Sequence, residues 1–427
     1  MPPSSDSQTS RMRWLLVSRP IVGPVIDGGA ALLRELIPAL PPEPIDYFGD
    51  NRRPLRPRSL GDHLLRVPQL PARLSTPFAA ELLERAAIGA ALVSRERRQS
   101  PVHLFFGVGP VTERIAAGLV ATPEPVRSTS LARRTAIGLR SWLGVGASLL
   151  HGRQHGHERP APVVQTLTCA TGLETCAHML ENLDAVVALS EDTRERLIGA
   201  GVSARRVHRI HPGIDAALAR AIDNPGALER RRAILYAGEL DAGAGDRLIE
   251  IARTLSEPAL RGWTLIIACR PDQIIDEPER DRLGRELAGA IGAGRVELYG
   301  EVEDMRALLR RCAIQLFVAD KIHRRVDIPL VLLEGLREGL VTVSLDRAPI
   351  RELFTVASTR GREIGARVDP TLGPVGLIKA IHELAERPET LLAMSQDAVG
   401  LVRDGFSAAR MGADYAALHR ELSSRYS

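Results

Sequence analysis

The feature that most constrains this chain is an alternation, run through twice, of short apolar stretches with helix-like segments. "RWLLVSRPIV" leads into "GPVIDGGAALLREL", a glycine-containing loop that opens an amphipathic helix. Further apolar runs follow at "PVHLFFGVG", "PVVQTLT" and "AVVALS", the last trailed by "EDTRERLIGAG". A second series begins beyond "HPGIDAALARAIDNPGALERR", with "AILYAGEL", "WTLIIACR", "RVELYG", "IQLFVA" and "LVTVSL" as strands and segments such as "DAGAGDRLIEIARTL" and "EDMRALLRRC" as the helices between them. Continuous apolar runs of this length are what strands of a parallel sheet give when both faces are covered. The pattern therefore predicts an α/β chain of two doubly wound, Rossmann-like domains. At 427 residues the chain is also too long for one ordinary core. The expected division is a disordered tail over 1–10, an N-terminal domain over 11–215, a linker over 216–230 and a second domain over 231–405. The last segment, 406–427, either completes the second domain or crosses back to the first.

Composition narrows the function classes. With 44% hydrophobic and 25% charged residues the chain is of the globular type, neither disordered nor fibrous. No apolar run is long enough to span a bilayer, and the polar start "MPPSSDSQTS" lacks the layout of a signal peptide, so the expectation is a cytoplasmic protein. Cys169, Cys176, Cys269 and Cys312 form no C-x-x-C pair and read as reduced, buried thiols. Basic charge is almost all arginine, Lys321 and Lys379 being the only lysines.

That charge is unevenly spread. Residues 1–160 hold 21 arginines against 13 acidic residues, whereas the remainder holds 35 basic and 39 acidic residues. A basic first half suits an anionic lipid or a phosphorylated substrate. Nucleic acid is disfavoured, because aromatics make up only 4% and no binding motif is present. "ARRTAIGLRSWLGVGASLL" joins arginines to an apolar face, and reads either as a peripheral membrane contact or as a solvated helix packed on its own domain. His151, His155 and His157 have no carboxylate or cysteine companion at ligand spacing, so they read as a solvent loop and no metal is expected.

In open parallel sheets ligands bind beyond the carboxyl ends of the strands. Gly28 and Gly29, just ahead of a helix, either expose backbone N–H groups to a phosphate or simply make a tight turn. "DAGAGD", Asp241 to Asp246, carries the same two readings. The stretch "RRVDIPLVLLEGLREGLVTVS" is a short helix running into a strand, with Glu334 in its apolar middle and Gly335 beside it as room for a close approach. Glu334 could be solvated, could pair with Arg337, or could accept two hydrogen bonds from a diol such as a ribose.

These segments together resemble a known family. "PLVLLEGLREGLVTVS", with "ILYAGEL", "VELYGEVEDMRALLRRCAIQLFVAD" and "VTVSLDRAPIREL" around it, is similar to the donor domain of the GT-B glycosyltransferases of family 4. "AVVALSEDTRERLIGAGVSARRVHRIHPGIDA" and "FSAARM" are similar to other parts of the same proteins. The resemblance implies a retaining enzyme that moves a sugar from a nucleoside-diphosphate sugar to an acceptor, without metal or other cofactor. It also implies two Rossmann-like domains facing a cleft, with the donor on the C-terminal one. The acceptor is not identified; the basic first half suggests that it is anionic or lipid-linked.

By this resemblance Glu334 is the second of the family's two glutamates, the one that holds the donor ribose. The position eight before it is Val326, and the nearest acid is Asp327. The donor-binding set so implied is Glu334, Asp327, Arg325, Lys321, Gly28, Gly29, Gly300 and Val302, with no catalytic residue assigned. The family's basic pair for the diphosphate is replaced by Glu239 and Ala244, and a histidine of the first domain by Thr166 and Thr168. "KIHRRVD" either compensates for the missing charge or is a solvated basic loop. The expectation is a hexosyl-transferring enzyme of carbohydrate biosynthesis; the alternative is a degenerate homologue acting as a binding or partner protein.

Overall fold

A computed structural model describes residues 14–18, 28–41, 45–48, 101–105, 162–168, 173, 177–181, 183–238, 240–269, 277–320 and 326–425. The chain divides into two compact units. One is drawn from Met1–Leu189, Thr193–Ile210 and Gly412–Ser427, the other from Ser190–Asp192 and His211–Met411.

The first unit is built on a six-stranded parallel sheet of β1 (Trp14–Ser18), β2 (Ile45–Phe48), β3 (Val102–Phe105), β4 (Val163–Leu167), β5 (Ala185–Ala188) and β6 (Val207–Arg209), in the order β2-β1-β3-β4-β5-β6. Every residue of β4 and β5 is buried, Gln165 and Thr166 of β4 included, which is why neither stretch shows a solvent-facing alternation. The strand order reverses between β1 and β3, and the helix Gly28–Leu36 follows β1.

Polar side chains join the C-terminal helix, Ala408–Ser424, to this sheet. His103 on β3 places Nδ1 2.8 Å from His419 Nε2 and Nε2 2.7 Å from Thr166 Oγ1, which lies 3.0 Å from the Tyr415 hydroxyl. All four side chains are buried. Burial holds both histidines below the ordinary histidine range, and for His103 the neighbouring His419 adds to the effect. Thr166, which stands where the resemblance would place a histidine, is thus engaged inside the sheet. Gly412 permits this docking, since a Cβ there would lie 2.2 Å from the Ala39 carbonyl oxygen.

The second unit repeats the design with β7 (Ala233–Ala237), β8 (Thr264–Ala268), β9 (Val296–Tyr299), β10 (Ile314–Phe317), β11 (Val341–Leu345) and β12 (Gly365–Val368), all parallel, in the order β12-β11-β10-β7-β8-β9. Ile234 and Tyr236 face one layer with Leu248, Ile251 and Ile381, whereas Leu235 faces the other with Leu308, Leu309 and Leu340. Leu332, Leu333 and Leu336 pack with Phe317, Leu353 and Leu401. Arg231 is half-buried where helices end: it donates to the carbonyls of Cys312 (2.9 Å), Leu309 (3.3 Å) and Glu338 (2.8 Å), and partial burial lowers its pKa to about 10. Cys269 and Cys312 are buried thiols, and burial pushes the Cys312 thiol up to about 12. Among the described residues no helix is long and apolar enough to cross a membrane.

Candidate functional site

The order of the second sheet reverses between β7 and β10, and the carboxyl ends of those strands make the crevice such sheets use for ligands. Beyond β7, Asp241 caps the helix Ala242–Thr254, its Oδ1 accepting from the Ala244 N–H at 2.7 Å. Its Oδ2 accepts from the Asp320 N–H at 2.9 Å and so ties the chain leaving β10 to the helix following β7. Asp320 in turn meets two guanidinium groups at one oxygen: Arg247 Nη2 and Arg347 Nη1 each lie 2.9 Å from Oδ1. Arg247 also donates to the Val318 carbonyl at 2.9 Å, and Arg347 to the Asp320 carbonyl at 3.3 Å. Burial opposes ionisation of Asp320, but the hydrogen bond and charge of Arg247, with the charge of Arg347, hold its carboxyl below the usual range. Gly243 leaves room for this carboxylate, since a Cβ there would fall 1.8 Å from Asp320 Oδ2.

The helix Leu330–Arg337 is the next helix after β10 among the described residues and carries Glu334, half-buried. Gly335 is occupied from within: an added Cβ would lie 1.9 Å from Gln315 Oε1, whose amide donates to the Leu332 carbonyl at 3.1 Å and to Thr342 Oγ1 at 2.9 Å. The room expected there for a ligand is filled by Gln315. Arg337 reaches toward Glu338 (3.4 Å) and the Asp215 carbonyl (3.4 Å). Glu338 itself, 1% exposed, also receives Arg306 at 2.8 Å and Arg310 at 3.0 Å.

The other expected donor residues are placed as follows. Asp327 is 3% exposed and accepts from the Ser190 hydroxyl at 2.8 Å. Val326 beside it is buried. Gly300 and Val302 follow β9, on the way to the helix Met305–Leu309, and Val302 packs against the core cluster that contains Leu308 and Leu309. Gly28 and Gly29 open the helix after β1 in the first unit. Lys321, His323, Arg324, Arg325 and Glu239 lie outside the described residues, as do Cys169, Cys176, His151, His155, His157, the 132–150 stretch and the 1–10 tail. Among the described residues no group of three or more His, Cys, Asp or Glu is placed to hold a metal ion.

Two groupings escape sequence reasoning. Arg247, Asp320 and Arg347 come together from three segments, although "VAD" and "SLDR" both mark strand ends, where ligands are sought. Glu352 lies between His211 Nε2 (2.6 Å) and the Glu191 N–H (2.6 Å). A cleft of about 750 Å³ opens beside the edge strand β12, two strands from β10, and is lined by Asp346, Arg351, Arg367, Asp369 and Glu383 among others. It lies away from the point where the strand order reverses, which is where such sheets bind ligands, so the reversal is the better candidate site.

The fold has two Rossmann-like units, as the sequence pattern predicts, and is the GT-B fold that the family resemblance implies. Similar solved structures include HepE of Anabaena in complex with UDP and glucose (TM-score 0.65, 13% identity, covering 96% of this chain and 100% of that one). A sucrose-phosphate synthase of Thermosynechococcus elongatus is similar at TM-score 0.65 and 15% identity, covering 97% and 100%. An α,α-trehalose 6-phosphate synthase of Burkholderia multivorans is similar at TM-score 0.60 and 14% identity, covering 97% and 100%. No family model and no curated protein sequence matches the chain.

Proposed function

We propose that this protein is a retaining, metal-independent glycosyltransferase that takes a sugar from a nucleoside-diphosphate donor. The observation that carries this reading is Glu334, a half-buried carboxylate on the helix that starts beyond β10, where the sheet order reverses. A fixed carboxylate there has the geometry to accept both hydroxyls of a ribose. Likeness to structures named for UDP, UDP-glucose and sugar-phosphate synthesis supports the same class. On this reading Glu334 binds the ribose, Lys321 and Arg325 face the diphosphate, Asp327 stands near the sugar, and Gly300 and Val302 flank the base. Gly28 and Gly29, which open the helix after β1, offer backbone N–H groups to a phosphate. The acceptor is an anionic or lipid-linked molecule met by the basic first half, at the inner face of a membrane.

A second reading, a nucleotide-binding homologue without turnover, is favoured by one observation: Ala244 is buried in the first turn of its helix where the family resemblance calls for a cation. Screening nucleotide sugars for thermal stabilisation, then assaying donor hydrolysis and transfer, separates the two. Saturation at a hundred times the dissociation constant raises stability by about 2.7 kcal/mol, a readable shift. Stabilisation with hydrolysis is the expected result; stabilisation without turnover by any donor selects the second reading, and no stabilisation removes both.

A further inference from the structure

Two guanidinium groups that converge on one oxygen of a partly exposed carboxylate present the donor pattern that a phosphate takes. Arg247 arrives from the helix after β7 and Arg347 from the loop after β11, and both contact Asp320 Oδ1 at 2.9 Å. Their target follows β10, so the three residues lie at the carboxyl ends around the sheet reversal. Asp320 and Arg347 are open to solvent at 34% and 33%, whereas Arg247, at 14%, is fixed by its bond to the Val318 carbonyl. The arginines therefore form one anchored and one accessible cation, held together by a carboxylate that belongs to the protein.

We propose that Arg247 and Arg347 join Lys321 and Arg325 in receiving the donor's diphosphate, and that Asp320 is a resident anion which the diphosphate displaces from the two arginines. The assignment rests on the nucleotide-donor reading above and supplies the charge that Ala244 does not. Displacement is feasible because partly exposed ion pairs contribute little to stability and a doubly charged ligand gains more from two guanidinium groups than a single carboxylate does. Asp320 then limits affinity for every diphosphate, since its charge remains within a few ångströms of the bound anion.

The sign of one substitution decides. With inorganic pyrophosphate and with UDP as probes, Asp320→Asn should bind about tenfold more tightly than the wild type, or better, since an ionised competitor is replaced by a neutral amide. Arg347→Ala should weaken binding about tenfold in both the wild-type and the Asp320→Asn backgrounds. Asp320→Ser repeats the first measurement with a smaller side chain, and melting curves identify variants that still fold. If Asp320 merely orients the arginines, both Asp320 variants bind more weakly or unchanged, and the proposal is overturned. Pyrophosphate binding with the expected signs, in a protein that neither binds nor turns over any nucleotide sugar, upholds the anion site and removes the glycosyltransferase reading. Turnover of a nucleotide sugar without tighter binding by the Asp320 variants does the reverse.

Discussion

The hydroxyl of Ser190 donates to the carboxyl group of Asp327 at 2.8 Å, and both side chains are buried. Asp327 adjoins the position where the family resemblance places a donor-sugar contact, yet this bond is made to the protein itself. Ser190→Ala should lower stability by about 1–3 kcal/mol, the cost of leaving a buried polar group one partner short. Urea midpoints test this. Weakened donor affinity at an unchanged midpoint would show that Asp327 is committed to the ligand instead.

Glu334→Gln should weaken binding of a nucleoside diphosphate by about 1.5–3 kcal/mol, roughly ten- to a hundredfold, because a hydroxyl loses a charged acceptor. Its melting temperature should stay near that of the wild type, whereas Arg337→Ala, which loses Glu338 and the Asp215 carbonyl, should melt lower. Calorimetric titration and melting curves on both variants check the contrast.

His103 and His419 predict an acid-sensitive first unit. Both are held below the ordinary histidine range, by burial and, for His103, also by the neighbouring histidine, so they stay neutral in the folded protein as pH falls. The unfolded chain takes up protons below a pH of about 6.5, and stability then falls as pH falls, by up to about 1.4 kcal/mol per pH unit for each histidine. Above that pH their contribution is constant. Urea midpoints between pH 7 and pH 5 should decline in the wild type. In His103→Gln/His419→Gln the protein should be weaker at pH 7 but its decline shallower; an unchanged slope would exclude these residues as its source.

Gly335→Ala should cost about 1–3 kcal/mol, since the new methyl occupies the place of the Gln315 amide and drives it from Thr342 and the Leu332 carbonyl. Pairing it with Gln315→Ala, which opens the space, should recover part of the loss. A double-variant cycle in urea measures that coupling.

Some of this molecule is legible in its sequence, for a local reason. Runs such as Ile234–Tyr236 and Leu265–Ile267 are apolar on both faces because both faces are covered, and covering both faces of a strand calls for helices between parallel neighbours. The same local logic marks Glu334, an ionisable group within an apolar helix, as a residue that needs a partner.

Partner choice was decided only in three dimensions. Arg337 stands one turn from Glu334, yet it reaches Glu338 and the Asp215 carbonyl. Gly335 looks open along the chain but is filled by Gln315 from β10. Arg247, Asp320 and Arg347 meet because β10 pairs with both β7 and β11, an order that places strands far apart in sequence side by side. Sequence period reports which face a residue turns to, a property of a few neighbouring residues. Which charge lies opposite which follows from sheet order and register, set by the burial of the whole core and the handedness of its crossovers.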